Sequence, residues 1–140
     1  MAKIAPRIAA SNYAAVSSYD FTNSGANLEA TLVLVKLDSN AKVTLATASS
    51  DKIIGVIRNL PAVGDTADVL LINQMGTGSV QTGGSISVGD YLTTNSSGQA
   101  VTATQTTAGS QPTVHVFGQA VQAATGSGQE IEFISMDFLY

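Results

Sequence analysis

The sequence predicts an all-β protein: a small β-barrel or β-sandwich with two pseudo-repeated halves and an extended N-terminal arm. Three observations carry that expectation. From Leu28 onward, Val, Ile, Leu and Thr come in short runs separated by Gly, Asn, Asp and Ser, as in short strands joined by tight turns. Several runs alternate: Val114, Val116, Gly118 and Ala120 share one face, and Ile131 and Phe133 oppose Glu130 and Glu132, as the two-residue side-chain period of a strand requires. The same succession of runs also occurs twice.

In chain order, residues 1–28 stand apart from the rest of the chain. They are rich in Ala, Ser and Asn and carry Tyr13, Tyr19 and Phe21. Ile4, Ile8 and Val16 sustain neither a strand nor a helix period, which predicts an extended arm, with a short helix over Ile8–Val16 as the alternative. Residues 29–140 form the β domain. Its expected strands are Thr31–Leu37, Lys42–Ala46, Lys52–Asn59, Ala67–Asn73, Ser79–Thr82, Asp90–Thr94, Ala100–Thr104, Thr113–Gln122 and Gln129–Asp137. Turn residues separate them at Asp38-Ser39-Asn40, Gly64-Asp65, Gly83-Gly84 and Ser97-Gly98, each able to turn the chain through a side-chain cap or a positive φ. Short strands at this spacing argue for a sandwich or small barrel.

The repeat aligns Val35–Thr44 with Leu92–Thr102, then Ile54-Gly55-Val56-Ile57 with Phe117-Gly118-Gln119-Ala120, then Asp68–Ile72 with Glu130–Ile134. Each copy reads as a hairpin, a strand with an internal glycine, and a closing strand. A glycine inside a strand marks a bulge or a sharp bend, as at the corner of a barrel. Two copies are too few for a solenoid and suit a pseudo-symmetric barrel whose halves pack face to face.

Composition narrows the function. At 140 residues the chain is one domain by the length prior. It has no cysteine, hence no disulfide framework and no thiolate metal site. The first residues lack the continuous apolar core of a signal peptide, and no apolar run is long enough to cross a bilayer as a helix. Charged residues make up only 11%. Residues 1–58 hold six bases against four acids, a net of +2, whereas the remainder holds six acids and no base, −6. That leaves no dense basic face to displace phosphate counterions, so no nucleic-acid partner is expected. So weakly charged a surface suits a protein packed against neighbours.

Catalytic and metal-site constellations are thin. His115 is the one imidazole. With no nucleophile-elbow motif and no second histidine, it reads as a half-buried strand residue. Glu130 and Glu132 stand about 7 Å apart on one strand face, a spacing some glycosidases use, yet no aromatic alternates with them to stack a sugar, so a solvated or edge-guarding face is expected. The Gly76-Thr77-Gly78 and Gly83-Gly84 stretches lack the Lys-Ser/Thr and helix of a phosphate loop. Asp65 and Asp68 flank a turn with too few neighbouring oxygens for calcium. No catalytic residue, metal, cofactor or small-molecule substrate is expected. The last strand does carry an apolar stripe, Ile134, Met136, Phe138 and Tyr140, which supplies buried anchors if it lies at a subunit interface. The arm adds Lys3 and Arg7 as charges and Tyr13, Tyr19 and Phe21 as anchors, an arrangement that predicts an arm leaving its own barrel for an acidic surface.

The stretch Gly83–Val101, with Gly89-Asp90 before a strand and Ser97-Gly98 in the next hairpin, resembles the small decoration, or cement, proteins of tailed-phage capsids. So do Val116-Phe117-Gly118-Gln119-Ala120 and Gly128-Gln129-Glu130-Ile131-Glu132-Phe133. The resemblance spans roughly residues 30–135 once the first copy is included, although that copy has Leu32-Val33 where the family pattern has Gly-Asp. It implies a β-barrel with an N-terminal arm on the outside of a virion shell, often trimeric. The expected partners are then the major capsid protein and two further copies of the chain, and the expected role is to clamp capsid subunits together. The alternatives are another virion component, such as a head fiber base or tail protein, and a carbohydrate-binding module.

Overall fold

A computed structural model of the chain describes residues 18–22, 30–74 and 76–140. Ten strands occur in order: β1 (Ser18–Thr22), β2 (Leu34–Leu37), β3 (Val43–Leu45), β4 (Ile53–Ile57), β5 (Thr66–Leu71), β6 (Thr77–Ile86), β7 (Tyr91–Thr94), β8 (Ala100–Thr102), β9 (His115–Ala120) and β10 (Ala124–Leu139), with a single 3₁₀ turn over Ile72–Gln74 among the described residues. They build two units. Strands β10-β6-β8-β7-β9 close into a barrel, and β1-β5-β4-β2-β3 form a five-stranded half-barrel sheet.

The units share one frame. In the half-barrel β2 pairs with β3 and β4, and β4 with β5, all antiparallel; in the barrel β7 pairs with β8 and β9, and β9 with β10, in the same sense. Strand β1 pairs antiparallel with β5 as β6 does with β10, so β1 holds the place of β6. The barrel closes through a parallel contact of β6 with β8 at Thr82 and Ala100.

Turn chemistry repeats with the frame. Asp38 Oδ1 accepts the backbone N–H groups of Asn40 and Lys42 at 2.8 and 3.0 Å. Asn95 Oδ1 accepts those of Ser97 and Gln99 at 2.9 and 3.0 Å. Each is a side-chain cap on a tight hairpin, and each needs a left-handed residue, Ala41 at φ 60° and Gly98 at φ 73°. The strand glycines also coincide. Gly55 pairs with Val35 and Leu71, and Gly118 with Leu92 and Ser135. A Cβ on Gly55 would run into the Leu70 carbonyl and Val69; one on Gly118 would run into the Phe133 ring and the Ile134 carbonyl. The closing strand crosses both glycines at van der Waals distance, which only a missing side chain permits.

This pairing corrects the alignment of the closing strands. Leu71 and Ser135 both oppose the glycine, so Val69 matches Phe133 and not Ile131. The shift is two residues, which keeps every side chain on its face and is therefore invisible to an alternating pattern. Two strands also exceed expectation. Gly83 and Gly84, expected to turn the chain, pair within β6 with Ser127 and Gly126, and β10 runs on past a register shift between Ser127 and Glu130. The stretch expected to leave its barrel as an arm contains β1, whose Tyr19 and Phe21 stand opposite Val69 and Ala67. The unpaired edge of β5 offers hydrogen-bonding groups that a β-prone Ser-Tyr-Asp-Phe-Thr segment can satisfy.

One cluster of buried side chains fills the half-barrel: Val33, Val35, Val43, Ile57, Ala67 and Val69. A larger cluster runs from the barrel interior (Val80, Leu92, Phe117, Ile131, Phe133) across to Leu34, Ile53, Val56 and Ile72 of the half-barrel. Leu34 and Val35 thus point to different cores, and the half-barrel sheet is buried on both faces along β2 and β4. Backbone bonds stitch the units together: Gln81 N–H to the Leu32 carbonyl, Leu34 N–H to Gly98 and His115 N–H to Ser49, at 2.7–2.9 Å.

Candidate interaction surface

Of the residues expected to make contacts, Lys3, Arg7 and Tyr13 lie outside the described residues, and Tyr19 and Phe21 fall within β1. The four from the last strand are all described, and they do not form one stripe. A register shift between Ser135 and Phe138 places one extra residue in β10, so Ile134 pairs with Gln119 while Phe138 pairs with Val116. A bulge reverses which face later residues occupy. Ile134 stays 41% exposed, in line with the exposed Glu130 and Glu132. Met136 is half-buried in the bulge itself. Phe138 and Tyr140 turn to Tyr91, with ring centroids 5.2 and 5.3 Å away in edge-to-face contact, a geometry the ring quadrupoles favour. Half of the expected stripe is therefore spent on an internal aromatic cluster.

Exposed aliphatic side chains stand instead at loops and at the end of β10. Val88 is 65% exposed, Leu60 59%, Val63 58% and Leu139 55%. The sequence does not mark them, because single aliphatic residues in loops carry no periodic signal. Glu130 and Glu132 face outward, opposite Gln81 and Ser79, neither of which is aromatic.

The described basic residues of the half-barrel include three in ion pairs. Lys36 Nζ contacts Asp51 at 2.8 Å, Lys52 Nζ contacts Asp137 at 3.0 Å and Arg58 faces Asp68 at 3.6 Å. Burial pushes the Asp51 carboxyl up, but hydrogen bonds from Lys36 and from the Thr47 and Ala48 amides outweigh it and hold the group below the usual aspartate range. Asp137 is likewise raised by burial and lowered further by hydrogen bonds from His115 and Lys52, with a net lowering. These charges bind the fold to itself. What the exterior presents is a set of separate exposed aliphatic residues, most of them in loops, on a sparsely charged surface.

No protein-family model and no curated protein matches the chain. Among solved structures it is similar to the N base of head fiber gp8.5 in bacteriophage phi29, with 27% identity and a TM-score of 0.54, over 85% of this chain and 94% of that one. The likeness supports a phage virion structural protein. It is a likeness to a head fiber base and not to a shell decoration protein, and it extends across nearly the whole of that neighbour, so both β units enter the match.

Proposed function

We propose that the chain is the base of a head fiber or a similar appendage, seated on the outer surface of a phage capsid, and that it acts by binding alone. The observation that supports this reading is the likeness to the phi29 head fiber base over 94% of that chain. The exposed aliphatic residues Val88, Leu60, Val63 and Leu139 supply modest contacts, and three copies around an axis would multiply them into avidity. The partners under this reading are the major capsid protein and two further copies of the chain. Heads that lack the protein, incubated with it, should bind it saturably, and a cryo-electron map should show the β units at the foot of a projection. Density on the tail, or no binding to heads, overturns the proposal.

Clamping of neighbouring capsid subunits is a second reading, favoured by the resemblance of Gly83–Val101 to capsid decoration proteins. It differs in one measurable respect. A clamp raises the temperature at which heads disrupt, because it binds only the assembled shell, whereas a fiber base that binds one capsomer equally well free or assembled leaves the assembly equilibrium unshifted.

A further inference from the structure

His115, the single histidine of the chain, opens β9 at the place where the barrel meets the half-barrel. It is 2% exposed. Its ring Nδ1 accepts the backbone N–H of Ile53, the first residue of β4, at 3.0 Å. A nitrogen that accepts carries no proton, so the neutral ring is protonated at Nε2, and that N–H donates to Asp137 Oδ1. Asp137 lies between Ser135 and Phe138, where β10 slips register, and its carboxylate also receives Lys52 Nζ. Lys52 and Ile53, adjacent in the half-barrel, are therefore both tied to the barrel, one through the carboxylate and one through the imidazole.

We propose that this relay is an acid-opened latch: neutral His115 holds the start of β4 against the barrel, and protonation of the ring releases it. An imidazolium donates from both nitrogens. A proton on Nδ1 would face the Ile53 N–H, leaving two donors opposed and a buried amide without an acceptor, the costly way to lose a hydrogen bond. On the other side of the ring, Asp137 accepts from Nε2–H in either state, so the change falls on Nδ1. The other groups of the neighbouring elements leave that side unchanged. Lys52, before β4, is paired with Asp137. Asp51, from the loop that carries Ser49, is held by Lys36. Thr93 of β7 reaches the Ser49 carbonyl and is uncharged. Tyr91 and Tyr140, on β7 and after β10, pack on each other and on Phe138. The Asp137 side chain is 27% exposed, so the carboxylate end of the relay meets solvent.

The test uses the full chain with ¹⁵N-labelled histidine, followed by NMR from about pH 8 to about pH 5, the interval in which an imidazole ordinarily changes charge. At neutral pH the ring should show the Nε2–H tautomer. As it protonates, exchange protection of the Ile53 amide should fall about tenfold per pH unit, the slope for opening coupled to one proton, while the Val80 amide inside the barrel keeps its protection. In a His115→Asn variant the side-chain oxygen takes the place of Nδ1, and Ile53 protection should lose this pH dependence. An Nδ1–H tautomer overturns the latch, as does ring protonation with Ile53 protection unchanged. So does a His115→Asn variant that loses protection over the same interval, which would assign the effect to carboxylates. Should that variant fail to fold, the tautomer and the Ile53 titration of the parent chain decide the matter alone.

Discussion

The barrel and the half-barrel have the same strand order, the same capped hairpin and the same strand glycine, yet they are filled differently. The barrel closes on a ten-residue β6 and is centred on an edge-to-face pair, Phe117 and Phe133, with centroids 5.0 Å apart. In the half-barrel the place of Phe133 is taken by Val69, the place of β6 by the five-residue β1, and the buried core is aliphatic among the described side chains. Its sheet gains burial on a second face by packing on the barrel. The difference teaches that the frame is set by the few residues that must bend the backbone or let another strand pass. Core filling is free to diverge as long as apolar volume is supplied.

The comparison breaks first at the core. Phe133→Ala should cost about 4 kcal/mol and Val69→Ala about 2 kcal/mol, from the lost burial and the cavity left behind, measured by urea unfolding followed with circular dichroism. Equal losses would mean that the aromatic pair does not anchor the barrel. Next comes the glycine crossing. Gly55→Ala and Gly118→Ala should each cost about 3 kcal/mol by overpacking. Gly55→Ala should be the worse of the two, because its new Cβ meets a backbone carbonyl first whereas that of Gly118 meets a ring. A neutral result at either site would show that the crossing is not tight.

The hairpins sharpen the comparison at smaller amplitude. Ala41 holds a left-handed backbone where the other copy has glycine, so Ala41→Gly should stabilise by about 1 kcal/mol and Gly98→Ala should destabilise. Gly98→Ala should exceed that figure, because its Cβ would also meet Leu45. Thermal melts of the two variants, with opposite signs, check the prediction. The smallest effect concerns acid. Asp51 and Asp137 both have folded pKa values held below the ordinary aspartate range. Their contribution is therefore fully present above the unfolded value of about 3.9 and disappears as pH falls through the folded values. Asp51→Asn and Asp137→Asn should each flatten the fall of stability below about pH 4. The His115 latch should survive in Asp51→Asn, since Asp51 is held by Lys36 and by the Thr47 and Ala48 amides and not by the ring.

Much of this frame was legible in the residues. Alternation found the strands, Asp38-Ser39-Asn40 and Ser97-Gly98 marked the hairpin turns, and Gly55 and Gly118 stood out as strand glycines, because each of these signals is local: a turn residue, a two-residue period, a residue without a Cβ. That the glycines serve a strand crossing and not a bend came from the structure. Tertiary structure decided the rest. The extra residue that separates Ile134 from Phe138 has no sequence mark, since a bulge depends on how β9 and β10 settle against each other, and it took half of the expected contact stripe into a cluster with Tyr91. The docking of β1 on β5 and the pairing of Gly83 and Gly84 inside β6 depend on which edges lie unpaired once the sheets form. His115 showed only as a strand residue. Its partners, the Ile53 amide and the Asp137 carboxylate, stand 62 and 22 residues away, and hydrogen bonds over such separations arise only when the two units have packed.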